Sequence, residues 1–157
     1  MHPMDLDQLY QDNFTKVQSF CQKWTEDADD AYDIAQESFI ELMNRNGGGE
    51  ITNPISWVYR VAYNRCVNRH KFNLRFLASS DTSSNINPFA DDGEVNQERL
   101  REVRRAIHKL SHKERALVTL YKMGFSYAEM AHVVEMNSAS VGKTLTRAID
   151  KLAKWVK

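Results

Sequence analysis

Apolar residues Leu6, Leu9, Tyr10, Phe14, Val17, Phe20, Cys21 and Trp24 recur at steps of three and four, which predicts an amphipathic helix over residues 5–24. A second helix is expected over 27–44, with Ala31, Ile34, Ala35, Phe39 and Leu42 inward. The run Asn44 to Gly49, with three glycines at its end, stops it, because glycine holds a helix only at an entropic cost. Pro54 opens a third helix to about Phe76, since the first turn has no use for the missing N–H. Residues 77–97 have no period and are rich in Ser, Asp, Asn, Gly and Pro, the composition of a flexible linker. Beyond it the pattern predicts helices near 98–110, 112–123, 126–134 and 138–156. Their inward stripes read Leu100/Val103/Ile107/Leu110, Leu117/Leu120/Tyr121, Tyr127/Met130/Ala131/Val134 and Val141/Leu145/Leu152/Trp155. No stretch alternates like a strand. The expected fold is all-α, with small helical domains over 1–76 and 98–157 joined by the linker 77–97.

Composition narrows the class only a little. No apolar run approaches the length of a membrane span, and the start MHPMDLDQLY does not read as a signal peptide. Cys21 and Cys66 stand alone, without metal-ligand spacing, which suits a reducing cytoplasm. Charge is more informative, because the formal net of zero hides four blocks. Residues 1–50 carry 3 basic and 11 acidic side chains, and residues 51–80 carry 5 basic and none acidic. Residues 81–98 hold 5 acidic and no basic side chains, whereas 99–157 hold 13 basic and 5 acidic. Segregation of this kind fits contact with a polyanion at two separate places, or neutralisation of one block by another.

The apolar rhythm stops at Glu135-Met136-Asn137 and restarts at once at Ser138, so two helices meet at a corner. Ala131 is small enough for close approach, Val141 packs back across the corner, and Asn137 or Ser138 can cap the second helix. Glu135 stands where such corners commonly place glycine. This is a helix-turn-helix pattern. With Val141, Leu145 and Leu152 inward, the outward face carries Ser138, Ala139, Gly142, Lys143, Thr146 and Arg147, suited to base edges and phosphates in a major groove. The alternative is a helical hairpin with a basic solvated face.

Two further stretches carry chemistry. In residues 57–71, Trp57, Tyr59 and Tyr63 interleave with Arg60, Asn64, Arg65, Asn68, Arg69 and Lys71. Cations neutralise backbone and aromatic faces stack unpaired bases, each worth roughly 1–3 kcal/mol, although the same aromatics could be core. In residues 26–41, Glu26, Asp30, Asp33, Glu37 and Glu41 form one acidic stripe on a helix, either simply solvated or a docking face for a basic partner. As a calcium loop the stretch fails, with Ala31, Tyr32 and Ser38 at its fifth, sixth and twelfth positions. No pattern supplies a pocket for carboxylate catalysis.

These pieces, in this order, resemble the extracytoplasmic-function class of bacterial RNA polymerase sigma factors, over nearly the whole chain outside the linker. Asp33 to Phe39 looks like the family's segment that grips the polymerase clamp, and the resemblance gives that role to Asp33, Gln36 and Glu37. Trp57 to Asn64 looks like its minus-ten recognition and melting helix. That implies promoter contacts at Trp57, Tyr59, Arg60, Tyr63, Asn64, Arg65, Asn68 and Arg69, with the loop Asn44–Asn53 helping to capture a flipped base. Leu110 to Arg115, Gly124 to Ala131 and Ser138 to Ala148 look like its minus-thirty-five domain, implying contacts at Arg115, Ser138, Ala139, Gly142, Lys143, Thr146 and Arg147. The recognition helix departs from the family's usual Val-Lys-Ser-Arg-Leu by reading Val-Gly-Lys-Thr-Leu, so a basic contact at Thr144 is missing. The resemblance implies core RNA polymerase, promoter DNA and an anti-sigma factor as partners, a cytoplasmic place without membrane insertion, and no enzyme activity, cofactor or metal. The rival expectations are a stand-alone helix-turn-helix regulator and a metal-dependent nuclease using the carboxylates of Asp27–Glu37.

Overall fold

The computed structural model describes residues 5–45, 51–77 and 97–156. Among these there are seven α-helices and no strand. The chain divides into two compact units, Met1–Ser83 and Ser84–Lys157. The glycines of residues 47–49 and most of the expected linker 77–97 lie outside the described residues.

The first unit is a three-helix bundle of α1 (Leu6–Cys21), α2 (Ala28–Asn44) and α3 (Pro54–Leu77). Each start is set locally. The Asp5 carboxylate accepts from the Gln8 N–H, and Asp27 accepts from the Asp29 N–H. Both place negative charge at the positive end of a helix dipole. Before Pro54, the Asn53 side chain accepts from the Ser56 N–H at 3.2 Å. The three helices then bury stripes spaced by three and four: Val17, Phe20 and Cys21; Ala31, Ile34, Ala35, Phe39 and Leu42; Val58, Tyr59, Ala62 and Cys66. Aromatic edges lock the bundle, with Phe20 centred 5.0 Å from Trp24 and 5.2 Å from Tyr59, and Trp24 meeting Tyr63 edge-on at 5.8 Å. Ser38 fits this interior because its hydroxyl donates to the Ile34 carbonyl at 2.7 Å. Burial, and then a hydrogen bond with Cys21, push the Cys66 thiol well above its ordinary value, so it serves as a packing group.

The second unit comprises α4 (Gln97–Lys109), α5 (His112–Lys122), α6 (Tyr127–Val134) and α7 (Ser138–Trp155). Ser111 with Glu114 and Ser126 with Glu129 form reciprocal capping boxes that start α5 and α6. Gly124, at φ 95°, provides the left-handed turn after α5. The core gathers Ala106, Leu110, Leu117, Leu120, Met130, Val133, Val134, Val141, Leu145 and Ala148. Of the expected inward residues, Val103, Ile107 and Leu152 are half-buried and four are exposed: Leu100 at 49%, Tyr121 at 52%, Tyr127 at 46% and Trp155 at 38%. Leu100 stands in the first turn of α4 and Trp155 in the last residue of α7, where a helix outruns the neighbours that would cover it. Trp155 is instead met by the Lys109 ammonium, 5.4 Å from the ring centre.

Candidate nucleic-acid interface

The corner between α6 and α7 is built by the backbone of four residues. Glu135 takes the left-handed conformation, φ 56° and ψ 54°, and is the only non-glycine with positive φ among the described residues. That position favours glycine, and a side chain there costs roughly 1 kcal/mol. The Met136 N–H donates back to the Ala131 carbonyl at 3.0 Å, closing the turn. Asn137, rather than Ser138, caps α7 by accepting from the Ala139 N–H at 3.0 Å. Ala131 and Val141 are both buried across the corner, as their spacing implied.

With Val141, Leu145 and Ala148 buried, α7 turns Ser138, Ala139, Lys143, Thr146 and Arg147 to solvent, and Gly142 and Thr144 are half-buried. No ion pair joins Lys143 or Arg147 among the described residues. A Cβ on Gly142 would lie 3.4 Å from the Tyr127 ring, an ordinary contact, so packing does not require glycine there. Arg115 departs from expectation. It is buried, donates to the His108 carbonyl at 3.1 Å, and so ties α5 to the end of α4. Beside it, burial raises the Glu114 carboxyl, but hydrogen bonds from Lys151 at 2.7 Å and from Ser111 outweigh that and hold it below its ordinary value.

In the first unit the structure separates the aromatics of α3. Tyr59 and Tyr63 are buried against Phe20 and Trp24, and burial raises the Tyr59 hydroxyl strongly. Neither ring offers a face to a base, which corrects the stacking expectation for both. Trp57 is half-buried, and the Arg45 guanidinium lies 5.4 Å from its ring centre. Arg60 is half-buried, and Asn64 and Asn68 are exposed. Arg65 and Arg69 are accessible but engaged with α2. Arg65 reaches Glu37 at 3.0 Å and Glu41 at 2.7 Å, and Arg69 reaches Asp30 at 2.7 Å. The expected flipped-base loop is described only at Asn44, Arg45 and residues 51–53.

The acidic stripe of α2 is therefore largely paired. Asp33 is exposed with no ion pair among the described residues, Glu37 is held by Arg65, and Gln36 accepts from the Tyr10 hydroxyl at 2.7 Å. Exposed Tyr32, Ile40 and Met43 lie on the same helix, giving the acidic face apolar neighbours that charge counting did not find. The matching four-residue steps of Glu37/Glu41 and Arg65/Arg69 do not give the pairing, because Arg65 takes both glutamates and Arg69 takes Asp30.

Residues 9–75 match the family model for sigma-70 region 2, and residues 100–152 match the model for sigma-70 region 4. The sigma factor RpoE of Bartonella quintana, solved in complex with the anti-sigma factor NepR, superposes with a TM-score of 0.76 at 21% identity, covering 96% of each chain. CnrH, solved with the cytosolic domain of CnrY, superposes with a TM-score of 0.67 at 17% identity, covering 95% of this chain and 85% of that one. None of the curated proteins matches the chain significantly. On these matches the chain belongs to the sigma-70 family of transcription initiation factors, with region 2 in its first unit and region 4 in its second, folded as an extracytoplasmic-function sigma factor.

Proposed function

We propose that this sigma factor works in the cytoplasm as a member of the extracytoplasmic-function class, with its surfaces divided as follows. The face of α2 with Asp33, Gln36 and Glu37 docks on a basic surface of core RNA polymerase, aided by the exposed Tyr32, Ile40 and Met43. Trp57, Arg60, Asn64, Arg65, Asn68 and Arg69 of α3 meet the opening minus-ten strand, where Trp57 stacks and the cations face phosphate. Tyr59 and Tyr63 shape that helix from behind. Ser138, Ala139, Gly142, Lys143, Thr146 and Arg147 of α7 enter the major groove of the minus-thirty-five element. Arg115 supports that domain from within, and no residue is given a catalytic role.

The single observation that carries this reading is the exposed α7 face, held out by the Ala131–Val141 corner with Lys143 and Arg147 unpaired among the described residues. A helix so presented keeps its cations in water, where phosphate can take them without first breaking an ion pair. The two solved relatives were each captured with another protein, the anti-sigma factor NepR or the cytosolic domain of CnrY, and that supports an anti-sigma partner here too. No described helix is long and apolar enough to cross a membrane.

Run-off transcription with core polymerase tests the reading. The wild-type chain should direct initiation at a defined start, and folded Asp33→Arg should fail to co-purify with core. Retention of core at wild-type levels by Asp33→Arg removes the docking face from the proposal.

A further inference from the structure

Gly142 sits in the middle of the α7 face that the proposed role lays in the groove. Ser138 and Thr146 lie one turn to either side of it, and Ala139 and Lys143 stand beside it. Glycine has no side chain to offer a base, so the surface at that point belongs to a neighbour. That neighbour is Tyr127, the first residue of α6, whose Cε2 carbon lies 3.4 Å from the place a Gly142 Cβ would take. The ring rests on α7 and still is exposed, and its hydroxyl makes no hydrogen bond among the described residues. A duplex laid against Ser138, Gly142 and Thr146 therefore meets the tyrosine as well, along a ring edge made of carbon. The apolar group that the major groove presents to such an edge is the thymine 5-methyl, whereas the other marks of its code are donors and acceptors.

We propose that Tyr127 is a specificity-determining residue of the α7 interface: where Gly142 leaves the face bare, its ring edge packs on a thymine methyl. The inference rests on the major-groove role given to α7 and adds a reader from the preceding helix. Gly142 takes part by leaving room for the ring against α7, a space in which an alanine methyl fits and a long side chain competes with the ring. The contact is apolar and uncharged, so it discriminates between base pairs without releasing a counterion.

The test uses the full chain and a labelled duplex cut from the region upstream of a run-off start. The duplex is made once with thymine and once with deoxyuridine in its place, which keeps every donor and acceptor and removes only the methyl groups. Fluorescence anisotropy gives the ratio of the two affinities for wild type, Tyr127→Ser, Tyr127→Phe and Lys143→Ala. The ratio should be about fourfold larger for wild type than for Tyr127→Ser, the worth of one buried methyl. Tyr127→Phe keeps the ring edge and should keep the ratio. Lys143→Ala should weaken both duplexes alike and flatten the log–log salt slope by about 0.9, whereas Tyr127→Ser should leave the slope unchanged. Deoxyuridine placed at one thymine at a time reads the contact on wild type alone, and one position should carry the fourfold effect that Tyr127→Ser removes. An unchanged ratio in Tyr127→Ser, an equal loss in Tyr127→Phe, or no sensitive thymine overturns the proposal. If Lys143→Ala weakens binding and the ratio ignores Tyr127, only this inference fails. If Lys143→Ala has no effect on either duplex, the major-groove reading of α7 fails and takes the inference with it.

Discussion

The two units hold the cations proposed to face DNA in opposite states. In α7, Lys143 and Arg147 stand exposed and unpaired among the described residues, whereas in α3 Arg65 and Arg69 are each held by carboxylates of α2. Net charge does not explain the difference. The acidic block 1–50 and the basic block 51–80 meet within one bundle and neutralise each other by contact. The basic block 99–157 commits Arg115 and Lys151 to structure and leaves the α7 pair for solvent. On the proposed roles, the second unit offers its α7 cations directly, whereas the first offers Arg65 and Arg69 only from within ion pairs with α2.

The largest expected effect tests whether the ion pairs of the first unit are structural. Tyr59→Ala, which empties a fully buried site, should destabilise that unit by about 3–5 kcal/mol. Arg65→Met, which removes two half-exposed pairs, should cost less than about 1 kcal/mol. Thermal unfolding followed by circular dichroism measures both. Comparable losses would mean that the pairs hold the bundle together, and the contrast between the units would then concern stability rather than binding.

Next comes the duplex arm of the comparison. Lys143→Ala/Arg147→Ala should lower affinity for upstream-element duplex by roughly 50-fold at 0.1 M salt and flatten the salt slope by about 1.8, as expected for two lost phosphate contacts. Arg65→Met should leave duplex binding within about twofold. Anisotropy titrations of both variants on one duplex decide it, and an equal loss from Arg65→Met would erase the division of labour.

A smaller effect sharpens the account of the corner. Glu135→Gly should stabilise the second unit by about 1 kcal/mol, because glycine relieves the left-handed backbone. Duplex affinity should not change, since Glu135 lies before the exposed α7 face. Urea unfolding reads the first quantity and anisotropy the second; a stability loss would show that the Glu135 side chain contributes more than its backbone strain removes.

The smallest expected effect concerns the cations that the second unit keeps for itself. Glu114 is held below its ordinary value of 4.5, so its contribution is complete above that value and is lost as pH falls through the lower folded value. Glu114→Gln keeps an oxygen for the Ser111 N–H but gives up the charged pair with Lys151. It should cost less than about 1 kcal/mol near neutrality, and the difference from wild type should shrink below pH 4.5. Melting temperatures across a pH series check this; a constant difference would mean that the charged pair with Lys151 is not its source.

The sequence by itself determined the helices, because the three-and-four spacing of apolar residues and the caps at Asp5, Asp27, Ser111 and Ser126 act within a turn or two of chain. It also determined the corner, through Ala131, Asn137 and Val141, and even the division of the α3 aromatics was within reach. Tyr59 and Tyr63 are one turn apart with Ala62 and Cys66, whereas Trp57 lies about 200° around the helix from Tyr59. The tertiary structure decided what periodicity cannot. It set the antiparallel register of α2 on α3 that brings Glu41 to Arg65 and Asp30 to Arg69, and it buried Arg115 under the His108 carbonyl. It also left Leu100, Tyr121, Tyr127 and Trp155 uncovered. A helical period fixes which side chains share a face of their own helix, but whether a charge on that face meets an opposite charge, water or DNA depends on distances across helices that only packing sets.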